Sequence, residues 1–146
     1  MKAVFLDSES LDRGDLDLSA LEAAAEWTFH PHTAPGEVAE RIRGAEVVIS
    51  NKVPLDAGAI GASDRLRLIA IAATGTNNVD LEAARAHGVA VTNVVGYATP
   101  AVTQHVLGLL LALTTHLSDY QAAVRDGRWS ASPHFCLLDF PIDELA

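Results

Sequence analysis

The sequence predicts an α/β fold: a five-stranded parallel sheet with helices on both faces, followed by one long helix. Three observations carry this. Short apolar runs alternate with short helical patterns through about residue 95, the rhythm of βαβ units joined by right-handed crossovers. The apolar share is 49% and the aromatic share only 5%, so Ala, Val, Leu and Ile must fill the interior, as buried parallel strands demand. The run Ala72-Ala73-Thr74-Gly75-Thr76-Asn77-Asn78-Val79-Asp80 lies between an apolar strand and a helical pattern. Turns of that kind, at the C-terminal ends of strands, are where open α/β sheets bind ligands.

The elements follow in order. Lys2–Leu6 reads as the first strand and Leu18–Ala25 as a helix, with Ser19 near its start. Glu26–Phe29 is a second short strand. A helix over 35–43 has Pro35 in its first turn and Gly44 at its end, both favourable there. Glu46–Ser50 is the third strand, Asp56–Ile60 a short helix with Gly61 behind it, and Leu68–Ala72 the fourth strand. Asp80 can cap the helix Leu81–Ala86, which stops at His87-Gly88, and Val89–Thr92 is the fifth strand. The pattern then changes. Thr99-Pro100 signals a helix start, with a hydroxyl cap and a proline at the first helical position. This helix runs from Ala101 to about His116 and is apolar nearly all round from Val106 to Leu113, so it needs burial on several sides. One sheet cannot supply that, and a partner domain or subunit is expected there. A further helix, Asp119–Arg125, ends at Asp126-Gly127. Beyond Trp129 the periodicity fades into what reads as an extended tail. The expected boundaries are 1–98 for the sheet domain and 99–146 for the helices and tail.

Composition narrows the function classes. With 10 Lys and Arg against 19 Asp and Glu the net charge is −9, which argues against nucleic acid and anionic membrane surfaces as partners. A single cysteine, Cys136, rules out an internal disulfide and suits a reducing cytoplasm. Met1-Lys2 leads straight into a strand, so no signal peptide is expected, and Val106–Leu113 is too short to span a bilayer.

The expected sheet order gathers four strand ends: Asp7-Ser8, Ser50-Asn51-Lys52, Ala73-Thr74-Gly75 and Asn93-Val94-Val95-Gly96. Backbone N–H groups there, with Lys52, could hold a small anion, although Asn, Gly, Ser and Thr are also ordinary turn residues. A phospho-acceptor receiver shares this layout but needs an Asp where Ser50-Asn51 stands. His30 and His32 flank Pro31 and read as solvated. His105 and His116 are about 16 Å apart along one helix, too far to share a metal. No metal site is expected. Cys136 has no motif marking it as a nucleophile, and Trp129 reads as a packing anchor. No Gly-x-Gly-x-x-Gly or Walker-type loop occurs.

Four segments, in this order, resemble the D-isomer-specific 2-hydroxyacid dehydrogenases: Asn51-Lys52-Val53-Pro54, Ala73–Asp80 with Gly88-Val89, Asn93–His105, and Phe135–Ile142. The glycerate dehydrogenase/hydroxypyruvate reductase branch is the nearest likeness. The resemblance implies a flavodoxin-like substrate domain, with an inserted nucleotide-binding domain beginning just beyond this chain. It also implies NAD(P) as cofactor, bound mainly by that absent domain, a small 2-oxo or 2-hydroxy acid as substrate, and a homodimer in full-length form. The family's catalytic Arg, Glu and His fall in the absent part, so no residue here takes those roles. Ala73, Thr74 and Gly75 match the loop whose N–H groups hold the substrate carboxylate. Thr99 matches a Thr that contacts the cofactor, and Asn51 a cofactor-facing position that Thr often occupies. Val94-Val95 departs from the commoner Thr-Pro. On this reading the chain is truncated and inactive alone. The alternative is a stand-alone flavodoxin-like module that binds a small acid, or acts as a scaffold, without catalysis.

Overall fold

The computed structural model describes residues 1–134 with Cys136 and Leu137. Phe135 and residues 138–146, which hold most of the expected tail, lie outside the described residues. The chain divides into two compact units, Met1–Gly96 and Tyr97–Ala146, and each is described by itself.

In the first unit β1 (Lys2–Phe5), β2 (Glu26–Phe29), β3 (Val47–Ser50), β4 (Leu68–Ile71) and β5 (Ala90–Thr92) form one sheet in the order β2-β1-β3-β4-β5. Every pair is parallel. The order is that of doubly wound flavodoxin-like folds, and it puts the C-terminal ends of β1, β3, β4 and β5 along one edge, as expected. The register aligns Val4, Val48, Ile69 and Val91 on one face. Val48, Ile69 and Leu6 are fully buried there with Ile42 and Ile60, from the segments that carry α2 (Val38–Arg41) and α3 (Ala57–Gly61). The other face is only partly covered: Val47, Ile49, Leu68 and Ala70 are half-buried, and Ala90 and Thr92 exposed. Its densest part is an aromatic group, with the Trp27 and Phe29 rings stacked at 5.8 Å and Phe5 at 6.2 Å from Phe29. The Trp27 indole N–H donates to the Leu21 carbonyl at 2.6 Å, tying β2 back to the segment before it.

Two of the expected helix starts carry side-chain caps. Asp56 accepts the N–H of Ala59 at 2.8 Å and Asp80 that of Ala83 at 2.9 Å. At the end of α4 (Leu81–Ala86), Gly88 takes φ +69°. Its N–H bonds the Arg85 carbonyl at 3.1 Å, and the Val89 N–H bonds that of Ala84 at 2.8 Å. That paired closure needs a left-handed residue, which glycine adopts without strain.

Elsewhere the expected elements shorten. The first helix is a single turn, α1 (Ser19–Glu22), with Leu18 rather than Ser19 at the cap position and no side-chain cap. It buries no residue, so no packing sustains the further turns expected to Ala25. The helix expected over 35–43 splits into a 3₁₀ turn, Pro35–Glu37, and α2. Glu37 accepts the Ala34 N–H at 2.8 Å and pairs with Arg41 at 3.0 Å.

The second unit holds α5 (Thr99–Thr114), α6 (Leu117–Arg125) and α7 (Arg128–Ala131). The chain turns between the first two at His116, in the left-handed region at φ 51°. Helix α5 starts at Thr99 itself, so Thr99 is not its cap; Ala98 holds that position with no side-chain bond. The proline falls one residue further in, where its missing N–H still has no helical partner to lose. None of the residues of α5 is buried, and Leu107 and Leu113 are 56% and 72% exposed. The burial expected for it is therefore not supplied within the described residues. Trp129 is 41% exposed and is not a packing anchor; it lies on α7, a turn that sequence periodicity did not suggest. No single helix among the described residues is long and apolar enough to cross a membrane, although α5 and α6, bent by 61°, pass together on length and composition.

Replacing Asp80 by Ala removes the α4 cap and should lower stability by about 1 kcal/mol. Urea denaturation followed by far-ultraviolet circular dichroism checks this.

Candidate functional site at the C-terminal edge of the sheet

Each loop at the C-terminal edge is fixed by hydrogen bonds to a neighbouring loop. At the end of β1 the carboxylate of Asp7 is 5% exposed. Its Oδ1 accepts the Asn51 N–H at 2.9 Å, and its Oδ2 accepts the Lys52 N–H at 2.6 Å. A buried carboxylate must have donors, and these two N–H groups need an acceptor because β3 has just ended. The Asn51 side chain points back, its Nδ2 donating to Ser10 Oγ at 3.0 Å. Ser50, fully buried, donates its hydroxyl to the Val53 carbonyl at 2.8 Å. Beside this loop is a cavity of about 400 Å³, bordered by Asp7, Ser10, His32, Lys52 and Val53 among others.

The loops after β3 and β4 are joined by a short parallel bridge between Leu55 and Val79. Leu55 donates to the Asn78 carbonyl at 2.7 Å, and Asp80 donates to that of Leu55 at 2.9 Å. The loop after β4 is held from its other side as well. Val94 N–H donates to the Ala73 carbonyl at 3.0 Å, and Asn93 Nδ2 to the Thr74 carbonyl at 2.7 Å. Thr74 and Gly75 are exposed. Their N–H groups donate to no acceptor among the described residues, so they remain open to a ligand. A side chain at position 75 would bring a Cβ to 3.0 Å from Asn77 Oδ1, a contact that the exposed Asn77 side chain would have to yield.

The sequence-based candidates therefore separate. Ala73, Thr74 and Gly75 share one fixed loop, Asn51 lies on the adjoining strand end, and Thr99 belongs to the second unit. Thr99 stands in the first turn of α5, its carbonyl accepting the Thr103 hydroxyl at 2.8 Å. The sequence placed Asp7 and Asn93 at this edge, but not the hydrogen bonds that each makes there. The contacts that give both their roles span 44 and 19 residues, and no local pattern encodes those. Among the described residues no group of three His, Cys, Asp or Glu side chains could hold a metal ion.

These observations meet the comparisons with known proteins. Residues 5–132 match the model of the D-isomer specific 2-hydroxyacid dehydrogenase catalytic domain, and the chain belongs to that family. It is 42% identical over 149 residues to glycerate dehydrogenase of Methylorubrum extorquens, and 35% identical over 148 residues to hydroxypyruvate reductase of Blautia hydrogenotrophica. Each alignment covers 99% of this chain and 46% of the relative, so the chain spans about half the length of these relatives. The solved D-lactate dehydrogenase of Escherichia coli superposes with a TM-score of 0.70 at 23% identity, over 98% of this chain and 45% of that one. That likeness concerns the fold alone.

Two outcomes follow. Asp7→Ala leaves the Asn51 and Lys52 N–H groups without their acceptor and should cost about 1–3 kcal/mol, read by chemical denaturation. Hydrogen exchange at those two amides should accelerate first. His30, at the end of β2, titrates below the ordinary imidazole value because burial disfavours its charged form, with Arg41 adding repulsion and Glu37 opposing. Stability from the neutral ring is complete above the unfolded value near 6.5 and is lost as pH falls through the lower folded value. Melting midpoints should thus fall more steeply with acidification below pH about 6.5 in the parent chain than in His30→Gln.

Proposed function

We propose that this chain is the substrate-binding part of an NAD(P)-dependent D-2-hydroxyacid dehydrogenase of the glycerate/hydroxypyruvate type. The whole protein transfers hydride between the nicotinamide and C2 of a small 2-oxo or 2-hydroxy acid. The observation that carries the reading is the pair of open N–H groups on the Thr74–Gly75 loop, which suits a substrate carboxylate. Two N–H donors at the end of a parallel strand bind an anion without any side-chain charge, so the share of this chain in catalysis is orientation.

The residues of the chain do not by themselves make a dinucleotide site. No Gly-rich phosphate loop is in the sequence, and the Asn51 amide nitrogen is engaged by Ser10. Thr99 at the start of α5 and the backbone of Asn51 are the cofactor contacts we propose, with the rest of NAD(P) held by a nucleotide-binding domain outside this chain. The matched share of the relatives supports that placement. The exposed leucines of α5 support a cover made by that domain and by a second copy in a homodimer. The single cysteine suits the cytoplasm.

The 146-residue chain mixed with NADH and hydroxypyruvate should show no enzymatic loss of absorbance at the nicotinamide band. Extending the reading frame through a Gly-rich loop should restore it. Turnover by the short chain at ordinary enzyme rates would overturn the assignment of its chemistry to the absent domain.

A further inference from the structure

We propose that Asn93 is a positioning residue for the carboxylate cradle: by holding the Thr74 carbonyl it aims the Gly75 N–H at the ligand. This rests on the reading of Thr74–Gly75 as the substrate-binding loop. The chain has no cis peptide bonds. In a planar trans peptide the C=O and the next N–H point in opposite directions. The Thr74 carbonyl receives Asn93 Nδ2 at 2.7 Å, so the Gly75 N–H points away from the loop after β5. The Ala73 carbonyl receives the Val94 N–H at 3.0 Å, so the Thr74 N–H points the same way.

Along an extended strand successive peptide groups alternate in direction. Here two consecutive carbonyls face residues 93 and 94, and two consecutive N–H groups consequently face outward together. Such a pair forms an anion-binding concavity. One of its two restraints is a backbone bond that any residue at 94 except proline can make. The other depends on the side chain at 93. It must donate, and it must reach the Thr74 carbonyl from the first residue beyond β5. Asn does both from a short, stiff side chain. The Thr74 carbonyl and Asn93 are exposed, so water can replace the bond without unfolding the sheet. Loss of Asn93 then frees the Thr74–Gly75 peptide to rotate, and the cradle spends less time with both donors aligned.

Pyruvate serves as the probe, titrated into the isotopically labelled 146-residue chain with the Thr74 and Gly75 amide resonances followed. In the parent chain these two amides should respond and saturate. Asn93→Ala and Asn93→Asp should weaken pyruvate binding by roughly three- to tenfold, the effect of one lost hydrogen bond, with melting midpoints within a few degrees of the parent. A merely structural role would lower the midpoint and leave the affinity of the folded protein unchanged. Unchanged affinity in both variants overturns the role of Asn93. A parent chain whose Thr74 and Gly75 amides ignore pyruvate overturns the cradle itself. Should the variants fail to fold, the parent still decides. The Asn93 side-chain amide must shift together with the Gly75 N–H on binding, because both polarise one peptide group. A Gly75 response with a silent Asn93 overturns the proposal.

Discussion

The carboxylate of Asp7 accepts the N–H groups of Asn51 and Lys52 at the moment the β3 ladder runs out, and the edge of the sheet is organised from that point. Parallel strands end with N–H groups that no neighbour satisfies, and buried ones must find acceptors. Asp7 supplies them from the next strand, which fixes the direction in which the chain leaves β3. The chain then reaches Leu55, where the bridge to Val79 ties it to the loop after β4. That loop is in turn held by Asn93 and Val94. Three strand ends are thus linked in sequence, and the N–H groups of Thr74 and Gly75 are among those left open at this edge.

A fixed loop with two open amides is suited to recognition more than to reaction. It carries no acid, base or nucleophile, and Thr74 and Gly75 are exposed. The second unit has a complementary lack. Helix α5 displays a broad face of large apolar side chains and buries none of its residues, and contiguous exposed apolar surface of that kind marks an interaction face. These features accord with a chain that aligns with somewhat under half of its relatives.

The expectations that held and those that failed divide by physical cause. The strands were legible because each is a short apolar run between turn residues, and Asp80 and Gly88 marked helix ends by the geometry their side chains, or lack of one, impose. The helices at 18–25 and 35–43 were read too long, since helical propensity over a few residues says little without packing to sustain it. Thr99 was read as a cap, yet the helix begins on it, because a hydroxyl next to a proline is compatible with either position. Trp129 was assigned to packing by its size alone.

The sequence by itself determined the class of fold and the order of its elements. Hydrophobic period and turn residues are both local, and local patterns can be read without coordinates. Tertiary structure alone decided how the Thr74–Gly75 loop is aimed. Which carbonyl Asn93 caps, which amides Asp7 accepts and which N–H groups stay open depend on contacts between strand ends that adjoin only once the sheet is formed. The direction of a peptide plane is set by its partner, and the chain brings those partners from far along its length.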